Sequence, residues 1–423
     1  MKISVIHPMG NQNNRAILNG LLEAEMLHSF YTSIAYFPDS RFYNLISFNS
    51  NISSEFSRRE FQKDLKQYTS SYPFKEFLRL MSLKMRLNNL IKHEKGVFSV
   101  DNVYKYIDKK RSKSIAKDAN NGLTGIYAYE DGAYRSFLKA KEYGLKCIYD
   151  LPIAYWETQK KLLIEESERM PLWIKTISSG IKDSDEKLLR KEEELYLSDT
   201  VVVPSKFVRT SLPDWALNKN IIEAPFGSPV SLIDYENNQN NIKKKKKDNG
   251  VLRVLFVGSM TQRKGLGDLF EAINLVDSKK VELVVLGSLV ESYEFYQKQL
   301  KHGFTYERGR PHKQVLELMA TCDIFCLPSI VEGRALVMQE AMSQGLPIII
   351  TPNTGGEDLV IEGETGFLVP VRSPNKIAEK INWFLENRPK ISVMSKKAQS
   401  HAKTYTWANY AETIIKKLSD NCQ

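Results

Sequence analysis

From residue 251 onward the sequence alternates between short β-branched runs and stretches with helical spacing. "VLRVLFVG", "VELVVLG", "DIFCLPS" and "PIIIT" are each separated by such a stretch. Apolar runs of this length with helices between them suit strands buried on both faces of a parallel sheet, since each parallel return needs a crossover. The same alternation occurs earlier, in "KISVIH", "TGIYAY", "KCIYD" and "DTVVVPS". A small echo links the two stretches: Asp199 stands before Pro204-Ser205 at the spacing at which Asp323 stands before Pro328-Ser329. At 423 residues the chain is too long for one ordinary core. The pattern predicts an α/β protein with two doubly wound domains facing across a cleft, the carboxyl ends of both sheets turned toward one ligand. The expected first domain covers 1–224 and regains a crossing helix from 405–423. The second covers 225–404, with "ENNQNNIKKKKKDNG" (236–250) as a solvated linker.

Composition narrows the partners. With 42% hydrophobic and 26% charged residues the chain is globular and not disordered. No apolar run approaches the roughly eighteen residues of a membrane span. The opening "MKISVIHPMG" has too short an apolar run for a signal peptide. Four cysteines make no disulfide framework, and Cys322 and Cys326 lie inside a strand pattern, so buried thiols in a reducing cytoplasm are expected. The net charge of +10 is concentrated, because residues 58–118 hold 16 Lys and Arg against 7 Asp and Glu. Within that stretch "PFKEFLRLMSLKMRLNNLIK" (73–92) has helical spacing and is apolar almost all round, with Lys75, Arg79 and Arg86 on one stripe. It is either a buried helix with a solvated basic edge or an element lying on an anionic membrane, with Phe74, Phe77, Leu78 and Met81 among acyl chains. No recognition motif accompanies the charge, so nucleic acid is not an expected partner.

Chemistry concentrates in "VEGRALVMQEAMSQGLPIIIT" (331–351), where Glu332 and Glu340 have seven residues between them. Leu336, Val337, Ala341 and Met342 recur at helical spacing, so a helix is predicted over about 334–344, stopped by Gly345 and Pro347. Glu332 falls just ahead of it, where free backbone N–H groups favour an anion. Glu340 lies past the first turn and gains nothing from the dipole. One reading makes Glu332 a cap and Glu340 a solvated position; the other makes both ligand-binding.

Residues 251–372 resemble the retaining nucleotide-sugar glycosyltransferases of family 4, which have the GT-B fold of two Rossmann-like domains. The resemblance rests on "VLFVGSMTQRKGLGDLFEAI" and on the glutamate pair, with Arg263-Lys264-Gly265, Pro328-Ser329, Gly355-Gly356 and Gly366 in order. It implies that Glu332 holds hydroxyls of the transferred sugar and Glu340 the ribose diol, each carboxylate accepting from neighbouring hydroxyls. Arg263 and Lys264 fit a diphosphate, with Gly258 and Gly265 at the strand-to-helix turn and Gly333 and the backbone N–H groups of Arg334, Ala335 and Leu336 facing phosphate and sugar. The chain departs from the family in having Ser259 where an arginine is frequent. It also has Gly333-Arg334-Ala335 for the usual Gly-Phe-Gly, so the bulk beside the donor sugar is expected to differ.

The first half resembles the family more loosely. "HPMGNQNNR" follows the first strand, where Gly10 suits close approach and Asn11 and Arg15 are candidate donors to donor or acceptor; an ordinary turn, with His7 as a core histidine, is the plainer alternative. Glu130 and Asp150 each end a strand and are the candidate acceptor-side groups, with helix capping as the alternative. Asp183-Ser184-Asp185 spells the D-x-D of metal-dependent transferases but opens a charged helix, and is expected to be a cap. The expected activity is a metal- and cofactor-independent hexosyl transfer from a UDP- or GDP-linked sugar to a glycan or polyprenyl-diphosphate-linked acceptor. Arg263, Lys264, Glu332 and Asp150 are the expected catalytic groups, and the protein is expected in the cytoplasm, either free or peripheral on the inner face of the cell membrane. A GT-B epimerase, a phosphorylase, or a non-catalytic sugar- or lipid-binding protein is the alternative.

Overall fold

The computed structural model describes residues 1–37, 59–177, 181–232, 250–277 and 279–420; the 236–249 part of the expected linker lies outside them. The first sheet has seven strands: β1 (Ile3–Ile6), β2 (Leu27–Thr32), β3 (Thr69–Ser71), β4 (Gly125–Tyr129), β5 (Lys146–Asp150), β6 (Thr200–Val203) and β7 (Asn220–Glu223). They lie in the order β3-β2-β1-β4-β5-β6-β7. The second has β8 (Leu252–Val257), β9 (Val281–Leu286), β10 (Thr305–Glu307), β11 (Ile324–Leu327), β12 (Ile348–Ile350) and β13 (Gly366–Leu368), in the order β10-β9-β8-β11-β12-β13. Every paired strand is parallel. Both orders run outward from the first strand and then reverse, which opens a crevice at the carboxyl ends of the two central strands. The architecture is GT-B-like.

The echoed aspartates do the same work in both sheets. Asp199 accepts the Cys147 N–H of β5 at 2.7 Å, and Asp323 accepts the Arg253 N–H of β8 at 2.8 Å. Each carboxylate thus ties the start of its strand to a neighbour.

Two segments join the halves. The Trp407–Asp420 helix places Tyr410, Ile414 and Leu418 in the core of the first sheet. It lies so close to the Gln12–Glu23 helix that a Cβ on Gly20 would stand 2.8 Å from Ala411. In the other direction, Met170 and Trp173 follow the Trp156–Arg169 helix and enter the core of the second sheet, where Trp173 packs edge-on against Phe270, Phe295 and Tyr296. Buried polar groups accompany this crossing: Arg169 donates to both Asp268 oxygens at 2.9 and 2.7 Å, and Arg372 donates to Glu166 at 2.8 Å.

The basic stretch does not form one long helix. Phe74–Lys84 is helical, and a 3-10 turn follows at Asn88–Leu90. The face it turns inward carries Glu76, which is fully buried between Arg59 at 2.7 Å and Arg79 at 2.7 Å. Phe74, Phe77, Met81, Leu83 and Met85 are exposed. Arg79 is therefore part of an interior ion cluster and not of a free basic stripe, and Lys75 lies over the Tyr106 ring at 5.7 Å.

Candidate active site

Strand β8 ends at Val257, just before Gly258, and the chain makes a short 3-10 turn, Gln262–Lys264, before the Leu266–Asn274 helix. Gly265 closes that turn at φ +71°, where a Cβ would lie 2.0 Å from the Pro328 carbonyl oxygen. Only glycine permits this conformation and approach together. The close approach sets the turn against the segment that follows β11, and backbone bonds stitch the two: Ile330 N donates to Arg263 O at 2.9 Å. Residues of the first half brace the same turn, since Gln262 N donates to the Thr176 hydroxyl at 3.0 Å and its amide to Glu166 at 2.7 Å.

The stitched segments bring three candidate residues into contact. One oxygen of Glu332, Oε1, lies 2.6 Å from Arg263 Nη1 and 2.7 Å from Lys264 Nζ. Glu332 does not cap the following helix, which spans Leu336–Ser343 and starts at an Ala335 cap with no side-chain bond. Glu340, one turn into that helix, faces His312, whose Nε2 is 3.0 Å from Oε1. The hydrogen bond to Glu340 raises the His312 pKa, against burial. His312 opens its own helix 28 residues upstream, and local spacing gave no reason to select it.

Two contacts engage the 333–336 stretch within the protein. The Ala335 N–H donates to Thr354 O at 3.2 Å. The Arg334 side chain is buried and engaged by several partners. It forms a bidentate pair with Asp358 at 2.7 and 3.0 Å, donates to Gln339 at 2.9 Å and stacks over Tyr405. The bulk that the sequence suggested is turned into the second half. Gly333 is where the two halves meet: a Cβ there would lie 1.7 Å from the Pro152 oxygen, and its own carbonyl accepts from the Ser205 hydroxyl at 2.7 Å.

A cleft of about 380 Å³ runs between the halves. Its second-half wall is Glu332, Gly333 and Arg334; the first half contributes His93, Tyr104, Tyr129, Glu130, Asp131 and Lys187 among others. Glu130 accepts from Lys191 at 3.0 Å; burial raises its pKa, with the Lys191 charge opposing. Asp131 sits at φ +70° and is held by Arg190 at 3.3 Å and Lys187 at 3.5 Å. Glu194 supports this bend from beneath, accepting the N–H groups of Asp131, Ala133 and Tyr134. Asp131 and Lys187 were not singled out in the sequence, where they read as loop and helix charge.

The other first-half candidates are engaged elsewhere. Asp150 is not among the residues lining the cleft; it is buried at the end of β5, and burial pushes its carboxyl up to about 7, with Tyr127 opposing. Gly10 has φ +66°, but what approaches it is the Phe61 ring, 2.4 Å from a notional Cβ, so the glycine serves internal packing. Asn11 caps the Gln12–Glu23 helix by accepting from Asn14 N at 3.0 Å. Arg15 donates to Glu60 O at 2.9 Å and lies over Phe61. His7 is a core histidine: its Nδ1 accepts from Gly10 N at 2.8 Å, and burial lowers its pKa to about 3. In the D-x-D stretch, Ser184 caps the Asp185–Leu197 helix. Asp183 pairs with Lys187 at 3.0 Å and His93 at 2.8 Å, and with His93 and Glu94 it forms a group whose ligand atoms lie within 4.8 Å of one another.

Comparison with known proteins gives this arrangement a family context. Residues 237–401 match the model for glycosyl transferases group 1. An uncharacterized glycosyltransferase of Methanocaldococcus jannaschii is 26% identical over 228 residues, covering 53% of this chain and 61% of that protein. The chain spans about half the length of the curated relatives it matches. Sucrose-phosphate synthase from Thermosynechococcus elongatus superposes with a TM-score of 0.65 at 16% identity, over 100% of this chain and 99% of that one. The Anabaena HepE structure in complex with UDP-glucose gives 0.58 at 16% identity, over 99% and 100%. Residues 237–401 are thus similar to glycosyl transferases group 1, within a chain of GT-B-like fold.

Proposed function

We propose that this protein is a retaining hexosyltransferase that uses a UDP- or GDP-linked sugar and needs no metal. The observation that carries the reading is the meeting of Arg263 and Lys264 on Glu332, the last of which lines a cleft shared by both sheets. A diphosphate leaving group develops charge as the glycosidic bond breaks, and two cations already fixed by a stitched backbone stabilise it without reorganisation. Among the described residues, the carboxylates that line the cleft, Asp101, Glu130, Asp131 and Glu332, are each paired with a cation, which argues against a free nucleophile of the retaining-glycosidase kind. The departing phosphate then takes the acceptor proton. The GT-B likeness and the UDP-glucose complex of the Anabaena structure support the donor class.

The acceptor in this reading is a glycan or polyprenyl-diphosphate-linked sugar met at an anionic membrane face. Support comes from the exposed Phe74, Phe77, Met81 and Met85 within the basic 58–118 stretch, and from His93 and Val100 of the same stretch, which line the cleft. Because Arg79 is bound to buried Glu76, the informative variants are apolar: Phe77→Ser with Met81→Ser should reduce flotation with anionic vesicles while nucleotide binding persists. Flotation of the double variant equal to that of the native protein sinks the membrane contact and favours a soluble acceptor.

Calorimetric titration with a panel of UDP- and GDP-sugars, coupled to nucleotide-release turnover, tests the enzyme reading against a phosphorylase, an epimerase or a non-catalytic binder. Activity should persist in EDTA. Activity lost to chelation and restored by Mg²⁺ or Mn²⁺ would instead assign His93, Glu94 and Asp183 as ligands.

A further inference from the structure

Glu332 has a second task that the donor reading does not contain. Its Oε1 takes both cations of the turn, at 2.6 and 2.7 Å. The surrounding backbone is fixed: Ile330 N donates to Arg263 O at 2.9 Å, and Glu332 N to Asn353 O at 3.0 Å. Arg263 Nη1 also donates to Val331 O at 3.2 Å. The side chains of Arg263, Lys264 and Glu332 remain 21, 12 and 11% exposed, and Glu332 lines the cleft, while backbone hydrogen bonds hold their main chain.

A diphosphate asks for the same two cations. Two anions cannot both keep them at contact distance, because the second would sit against the charge of the first. Binding therefore requires the carboxylate to leave. With an intact nucleotide sugar, the displaced carboxylate meets neighbouring hydroxyls that donate to it. With the nucleoside diphosphate alone it meets none, and is left beside a newly arrived negative group.

Resting on the donor reading above, we propose that Glu332 is an exchangeable counter-ion that sets the preference for intact nucleotide sugar over nucleoside diphosphate. It stands in for the diphosphate on Arg263 and Lys264 until a donor displaces it, and only a donor that carries a sugar compensates it. The product complex is thereby weakened and release of nucleotide follows from the same contact.

The test uses the full chain and four probes, UDP, GDP, UDP-glucose and GDP-mannose, by calorimetry. Glu332→Gln should bind the accepted nucleoside diphosphate up to about fivefold more tightly than the native protein, the scale of one partly exposed ion pair. It should also lose most of the preference for the sugar nucleotide. Adding Lys264→Gln should remove the gain. If the native chain binds none of the probes, the donor reading falls and this proposal with it. If it binds them and Glu332→Gln holds the diphosphate no more tightly, the exchange is overturned while the donor reading stands. Should Glu332→Gln fail to fold by circular dichroism, Glu332→Asp keeps the charge but shortens its reach. Tighter diphosphate binding by that variant supports the exchange, and equal or weaker binding overturns it.

Discussion

Glu340 and His312 stand 3.0 Å apart with the carboxylate only partly exposed, so Glu340 is held by one partner and keeps an oxygen for another. If that oxygen accepts a ribose hydroxyl, Glu340→Ala should weaken nucleoside diphosphate binding by ~1–3 kcal/mol in titration calorimetry, the loss of a charge-assisted bond. This is opposite in sign to the Glu332→Gln effect. Asp150 gives a different prediction. Its folded-state pKa of about 7 lies above the ordinary carboxyl value of 3.8, so the folded protein binds the extra proton. Stability is then lost as pH rises from about 4 toward 7, at up to ~1.4 kcal/mol per pH unit from this group, and levels off above. Asp150→Asn should flatten that slope in urea melts at pH 5, 6 and 7; an unchanged slope would place the proton elsewhere. Arg263, Lys264 and Glu332 were legible because cations and an acid at ordered spacings have few other uses together. His312 and Asp131 were not, since a histidine opening a helix and an acid in a turn are ordinary where they stand.

The Phe74–Lys84 helix shows what periodicity leaves undecided at the level of an element. Its apolar residues lie nearly all round, so spacing does not say which face meets the core; the buried Arg59–Glu76–Arg79 cluster decides it. Glu76→Ala leaves two cations at that interior site without their carboxylate and should cost about 3 kcal/mol or more in chemical denaturation. Phe77→Ser should cost little, because its side chain is already in water. Equal losses would mean that the outward face is covered in solution. The boundaries of the 336–343 helix were nearly legible, through its apolar spacing and Gly345. Strands β2, β3, β7, β10 and β13 were not singled out: "TSS", "NIIE", "TYE" and "GFL" are three or four residues long, and "LHSFYT" mixes polar with apolar residues.

At the scale of the molecule, the doubled strand order was legible because each half repeats its strand–helix rhythm and the Asp-to-Pro-Ser spacing. The crossing at Met170–Trp173 was not, since only the fold shows a first-half segment entering the second core and bracing Gln262. That crossing couples the halves to the turn that carries Arg263 and Lys264. Trp173→Ala should therefore lower overall stability by ~3–5 kcal/mol, the usual cost of emptying a buried aromatic site, and should weaken nucleotide binding although Trp173 does not line the cleft. Stability lost with nucleotide affinity intact would show the brace to be dispensable. The central claim is that a cleft between two sheets presents Arg263, Lys264 and Glu332 to a sugar nucleotide. It is tested most directly by titrating UDP- and GDP-sugars into the native chain and into Lys264→Gln, with nucleotide release followed in the same samples. Binding of one sugar nucleotide by the native chain, its marked weakening in Lys264→Gln, and release of nucleoside diphosphate on adding acceptor is the result expected. Equal affinity in both proteins, or binding to neither, contradicts it.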